Sequence, residues 1–168
     1  MQIAETSRLR IREMDSALDA EFVFALLNSP KFLKYIGDRE VRSVEKAADF
    51  IEARYRQSYR DHGFGLYTVE LHDGTYVGMC GFVRRPHLDS PDLGFAFLPE
   101  HERKGYGFES ASAMLEHGKF VLGFDHVLAI TSQDNEASGK LLEKLGFSFD
   151  GIKPMPGGEN LKVYSIHL

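Results

Sequence analysis

Leu93-Gly94-Phe95-Ala96-Phe97-Leu98-Pro99-Glu100-His101-Glu102-Arg103-Lys104-Gly105-Tyr106-Gly107 is the stretch whose reading decides the fold. Residues 93–98 form a continuous apolar run of strand length, closed by Pro99. Beyond the glycines, Phe108, Ala111, Leu115, Gly118 and Leu122 recur at helical spacing. A strand, a glycine-bearing turn and a helix together turn free backbone N–H groups and the positive end of a helix dipole towards an anion. Gly105 and Gly107 carry no side chain, so a phosphate can approach the backbone there. Two glycines also make an ordinary tight turn, and short glycine patterns recur by chance.

About thirty residues further on, Asn135-x-x-Ser138-x-x-Leu141-Leu142-x-Lys144-x-Gly146-Phe147 forms a second polar-capped helix pattern. The two stretches, in this order, resemble motifs A and B of the GNAT superfamily of N-acetyltransferases. Asp92-Leu93-Gly94-Phe95, Pro99-Glu100 and Lys104-Gly105-Tyr106-Gly107 are similar to the ribosomal-protein N-terminal (RimJ/RimL-like) branch. Residues 5–12, Tyr35-Ile36-Gly37-Asp38-Arg39 and Ser43-Val44-Glu45 resemble that branch's opening strand and second helical entry, so the likeness spans nearly the whole chain.

The 168 residues suit a single N-acetyltransferase domain, 1–168, with one sizeable core. A net charge of -5 argues against a nucleic-acid partner, which would call for a basic face. The single cysteine, Cys80, excludes an internal disulfide and reads as a small buried residue. The seven histidines show no ligand spacing, so no metal is expected. No apolar run is long enough to cross a bilayer and no signal-peptide core is present, which predicts a cytoplasmic protein without a membrane partner.

Leu9 and Ile11 alternate with Arg8, Arg10 and Arg12 as in a half-buried strand, the arginines forming a solvated or carboxylate-paired face. Asp15 is expected to cap a helix with Leu18, Phe22, Ala25 and Leu26 on one side, stopping near Asn28-Ser29-Pro30. Ser43 caps a second helix with Val44, Ala47, Ala48, Ile51 and Tyr55 inward. Strands over 64–71 and 75–83 flank the hairpin signal His72-Asp73-Gly74. Val127-Leu128-Ala129-Ile130 reads as a central strand, and Ala137, Leu141 and Leu145 place a short helix on the sheet. Strands over 147–152 and 161–166 close the chain around a Pro/Gly loop. The predicted class is α+β: a mixed, mostly antiparallel sheet with about four helices. The resemblance adds the GNAT fold, splayed at its central parallel pair.

The resemblance also implies roles. Acetyl-CoA serves as co-substrate, its pyrophosphate seated on the N–H groups of Arg103, Lys104, Gly105, Tyr106, Gly107 and Phe108. Glu102 departs from the Gln or Arg usual at the first motif position, and its carboxylate must turn outward or pair with a neighbour. A backbone N–H near Phe97 or Leu98 would stabilise the oxyanion, a service worth about 3–4 kcal/mol. Asn135 reads as a helix N-cap, as a bond to the pantetheine arm, or as both. Leu142 stands where many relatives have a proton-donating tyrosine; Ser138, one turn earlier, reads either as that acid or as an ordinary helix serine. Asp92 reads as a general base or as a plain strand-start residue, with His87 and Glu109 behind it. Asp38 and Arg39 read as a wall of the acceptor site or as a polar turn. The acceptor expected is a primary amine, a protein N-terminus or a small molecule, and the chain a monomer or homodimer. The competing reading is an acyl-CoA-binding module with little turnover, suggested by Leu142 and Glu102. A P-loop protein is disfavoured because no Gly-Lys-Ser/Thr follows the turn.

Overall fold

In the computed structural model, which describes residues 1–168, eight strands form one sheet in the order β1-β2-β3-β4-β5-β6-β8-β7. They are β1 Gln2–Glu5, β2 Leu9–Arg12, β3 Leu66–Leu71, β4 Tyr76–Val83, β5 Asp92–Phe97, β6 His126–Thr131, β7 Ser148–Pro154 and β8 Asn160–His167. Every neighbouring pair is antiparallel except β5 and β6. The helices are α1 Ala20–Leu27, α2 Pro30–Tyr35, α3 Val44–Phe50, α4 Gln57–His62, α5 Tyr106–Phe120 and α6 Glu136–Leu145. A π-helical stretch, Ile51–Arg56, joins α3 to α4 without a break.

Two clusters of buried side chains lie on opposite faces of the sheet. On one, Ala111, Met114 and Leu115 of α5 and Leu142 of α6 pack with Tyr67, Val69, Cys80, Phe82 and Leu93. On the other, Val23, Leu26 and Leu27 of α1 join Ala47, Ile51 and Met79. Each fully buried Leu or Met contributes roughly 1.5–3 kcal/mol to the fold. The inward stripe of α5 has Gly118 where a Cβ would lie 2.9 Å from the Phe82 ring, so the helix can sit close on β4.

Several local expectations need correction. A four-residue edge strand, β1, precedes the predicted opening strand. Pro30 ends α1 but also begins α2, where its fixed φ and missing N–H suit the first helical position after Ser29. Asp15 does not cap α1; its carboxylate accepts from the N–H groups of Ala17 and Leu18 and holds a preceding turn, leaving Leu18 exposed. On α6 the buried positions are Gly139 and Leu142, while Ala137 faces solvent. Ser43 does cap α3, accepting from the Lys46 N–H at 3.1 Å. Asp73 and left-handed Gly74 make the β3–β4 turn.

The arginines of β2 are paired. Arg12 makes a bidentate bond to Asp19 at 2.8 and 2.9 Å and reaches Glu70 at 3.0 Å, fastening the start of α1 to the sheet. Arg8 holds Glu109 at 2.7 Å and so ties the β1–β2 turn to the first turn of α5.

Candidate active site

The parallel pair β5 and β6 meets at a single register point, Asp92 opposite Leu128, with the Leu128 N–H donating to the Pro91 carbonyl at 3.0 Å. Beyond it the strands part. On its other side β5 stays in unbroken register with β4 as far as Phe97, and the Leu98 N–H donates to Val77. Hydrogen-bonding directions alternate along a strand. Pro91 therefore points towards β6 and Leu98 towards β4, which agree in parity: beyond the bridge, Phe95 and Phe97 direct their N–H and C=O groups into the gap. Of the two backbone donors expected from sequence, Phe97 is free to serve and Leu98 is not.

A cleft of about 970 Å³ runs through this gap, lined by Asp92, Leu93, Gly94 and Phe95 on β5 and by Ala129, Ile130 and Thr131 on β6. From α6, Asn135, Ser138 and Leu142 reach it. Side chains alternate between sheet faces, and Ala96 and Leu98 pack with α1 and α3. Asp92, of the same parity, belongs to that face, whereas Ser138 stands on α6, across the sheet. The gap thus has one candidate proton-transfer group on each side.

Asp92 is nearly sealed from solvent and accepts from the Arg85 guanidinium at 2.7 Å. Burial pushes its pKa above the ordinary carboxylate value, and the opposing charges of Arg85 and His87 offset only part of that. His87 also lines the cleft. Glu109 does not: its carboxylate is taken up by Thr6 and Arg8, whose bonds outweigh burial and hold its pKa down, so its role is structural. Asn135 caps α6, its Oδ1 accepting from the Ser138 N–H at 3.3 Å, which leaves its amide NH₂ for another partner.

After β5, a short 3₁₀ turn, Pro99–His101, leads into the glycine loop. Arg103 (φ +61°) and Gly105 (φ +84°) are left-handed and bracket Lys104, curling the backbone. The first bond of α5 is Glu109 N–H to the Gly105 carbonyl, and no carbonyl or side chain of the chain accepts from the N–H groups of residues 103–108. Consecutive unpaired donors at the head of a fifteen-residue helix are an anion-binding arrangement. Glu102 does not obstruct it, because its carboxylate is ion-paired with Lys31 on α2. That partner lies 71 positions away, and nothing local in the sequence announces it.

Arg39 lines the cleft. Asp38 does not reach it: it is bound by Arg42 at 2.6 and 2.8 Å and by the Glu40 N–H, which lower its pKa to about 2. Sequence reasoning also missed Arg54 and Tyr55, which the π-helical stretch presents to the cleft, and Arg84 and Arg85 at the end of β4. Cys80 is fully buried, and burial pushes its thiol pKa up to about 12, so it takes no part in chemistry at the site. No group of three or more His, Cys, Asp or Glu side chains is placed to hold a metal ion, and no helix is long and apolar enough to cross a membrane.

A sheet opened at its one parallel pair, with an anion-binding helix start beside the opening, defines an acyl-CoA-type transferase fold. The acetyltransferase (GNAT) domain family matches residues 8–148, and the chain belongs to that family. It is 31% identical over 153 residues to the uncharacterized N-acetyltransferase YoaA of Bacillus subtilis (strain 168), covering 89% of this chain and 85% of that one. It is 24% identical to the spermidine N(1)-acetyltransferase of Escherichia coli (strain K12), over 90% and 77% of the two chains. The GNAT-family acetyltransferase of Bacillus anthracis superimposes with a TM-score of 0.81 at 25% identity, covering 99% and 98%. The ribosomal L7/L12 alpha-N-protein acetyltransferase RimL, solved in complex with coenzyme A, superimposes with a TM-score of 0.74 at 15% identity, covering 100% and 98%.

Proposed function

We propose that residues 1–168 act as one domain that moves an acetyl group from acetyl-CoA directly to a primary amine. The observation that carries this reading is the set of unpaired N–H groups over residues 103–108 beside a strand gap lined by free backbone donors. The pyrophosphate sits on the loop, with Arg103 and Lys104 adding charge. The pantetheine arm runs along β5 into the gap, held by the Asn135 amide, and the N–H of Phe97 or of Phe95 bonds the thioester oxygen as it gains charge.

The amine nitrogen attacks the thioester carbonyl carbon, the carbon–sulfur bond breaks, and CoA leaves as thiolate. The amine's proton passes to Asp92, directly or through water; Ser138 gives its proton to the sulfur and takes one back from solvent. An α-amine with pKa about 7.8 is roughly one-tenth neutral at pH 7, whereas a lysine amine near about 10.4 is almost wholly charged. Water alone can take the proton of the first, whereas the second needs a base such as Asp92. With Asp92 as that base, a protein N-terminus, as in the ribosomal-protein branch, and a small-molecule primary amine are both open as acceptors.

The binding-module reading loses one of its two supports, since Glu102 is neutralised by Lys31. Leu142, fully buried at the gap, remains the other. Thiol release from acetyl-CoA with a panel of amines and N-terminal peptides, alongside thermal protection by CoA, decides between them. Release with at least one amine supports transfer; protection with no release from any amine overturns transfer in favour of binding alone.

A further inference from the structure

The wall of the cleft facing Asp92 carries more guanidinium than its carboxylates neutralise. Arg85 is matched by Asp92. Arg39, Arg54 and Arg84 also line the cleft, and none of the three has a carboxylate within salt-bridge distance. Arg84 reaches only the Asp89 carbonyl, at 3.5 Å. The other lining carboxylates are Asp61, which accepts from Gln57, and Glu159, which is unpaired. A surplus of cation here is notable in a chain of net charge -5.

Two of these cations are seated on aromatic rings. Arg39 stands over Phe32 with 5.9 Å from Cζ to the ring centroid, and Arg54 over Phe50 at 5.5 Å. Such seating fixes a guanidinium in place while leaving its N–H edge free. Both act on the same buried hydroxyl: burial raises the Tyr55 pKa, and the charges of Arg39 and Arg54 are what oppose it. The pair therefore converges on one part of the wall, Arg39 from the segment after α2 and Arg54 from the π-helical stretch. The pyrophosphate loop cannot be what they serve, because none of residues 103–108 lines this cleft.

From this, and resting on the transfer reading above, we propose that the acceptor is an amine carrying a carboxylate on the same molecule. Its amine end lies at Asp92 and its carboxylate is clamped by Arg39 and Arg54. A planar fork of donors matches a carboxylate bidentately. Polyamines, with cations at every end, are rejected by the same wall.

The test is kcat/KM by thiol release for ω-amino acids of graded length, aspartate and glutamate, each against its amide, with spermidine as the cationic probe. The expected result is a preference of about tenfold or more for one of the acids over its amide, and no turnover of spermidine. Arg39→Gln and Arg54→Gln should each bring the acid-to-amide ratio towards one while CoA still raises Tm, which shows the variants folded. Amides or spermidine consumed as well as the acids, or a preference that survives both substitutions, overturns the proposal and leaves the transfer reading intact. Thiol release from no amine at all, with CoA bound, overturns both.

Discussion

Asp92 and Ser138 are expected to divide the proton traffic, and their substitution should separate chemistry from binding. Asp92→Asn keeps the size of the side chain and a partner for Arg85 but cannot take a proton. It should lower kcat about 100-fold with an α-amine acceptor while leaving the KM for acetyl-CoA nearly unchanged. Because the Asp92 pKa is raised by burial, its protonation removes activity as pH falls at values above the ordinary carboxylate range. The wild-type log(kcat/KM) profile should then show an acid limb from Asp92 below the limb from the amine itself, and the Asn variant should retain only the amine limb. Ser138→Ala should cost less, about tenfold, since a CoA thiolate leaves without full protonation. Cys80 supplies a contrasting prediction: with its thiol pushed up to about 12 and wholly enclosed, the native protein should resist iodoacetamide at pH 8 until denaturant is added.

Among the elements, α2 and the glycine loop are coupled through Lys31 and Glu102. Removing the lysine leaves a carboxylate uncompensated beside the proposed diphosphate seat. Lys31→Ala should weaken acetyl-CoA binding by about five- to tenfold in a thermal or calorimetric titration, Glu102→Gln should not weaken it, and the double variant should bind like Glu102→Gln. The tie between α1 and the sheet is of a different kind. Burial alone would raise the Asp19 pKa, but the bonds from Arg12, the Asp15 N–H and Tyr76 outweigh it and hold the group below its ordinary value. A depressed folded pKa means stability that is present above the unfolded pKa and lost as pH falls through the folded one. Urea midpoints should therefore hold from neutrality to about pH 5 and drop below about pH 4. Asp19→Ala, which leaves Arg12 without its main partner, should cost about 3–5 kcal/mol at pH 7 and flatten that acid limb.

Taken over the entire chain, the fold was readable where local chemistry and long-range geometry coincide. The loop 102–107 announces itself because glycine, helix periodicity and a preceding apolar strand all lie within one short window. The hairpin at Asp73-Gly74 and the cap at Ser43 are readable for the same reason. β1 was not, because four half-exposed residues carry too little alternation to register. Pro30 was read as a stop only, although a proline can equally open a helix. Other parts of the site depend on partners distant in sequence: Lys31 for Glu102 and Val77 for the Leu98 N–H. Asp38 resembled a site residue by position, yet its neighbour Arg42 satisfies it on the surface. Parity along β5 decides which backbone donors face the gap, and that depends on the β4 register, which no local pattern encodes.

Crystals grown with excess acetyl-CoA give the decisive measurement. Diphosphate oxygens about 2.7–3.2 Å from the N–H groups of residues 105–108, with the pantetheine arm between β5 and β6 and the thioester oxygen near the Phe97 or Phe95 N–H, are the predicted result. A diphosphate bound elsewhere while β5 and β6 remain unoccupied would contradict it.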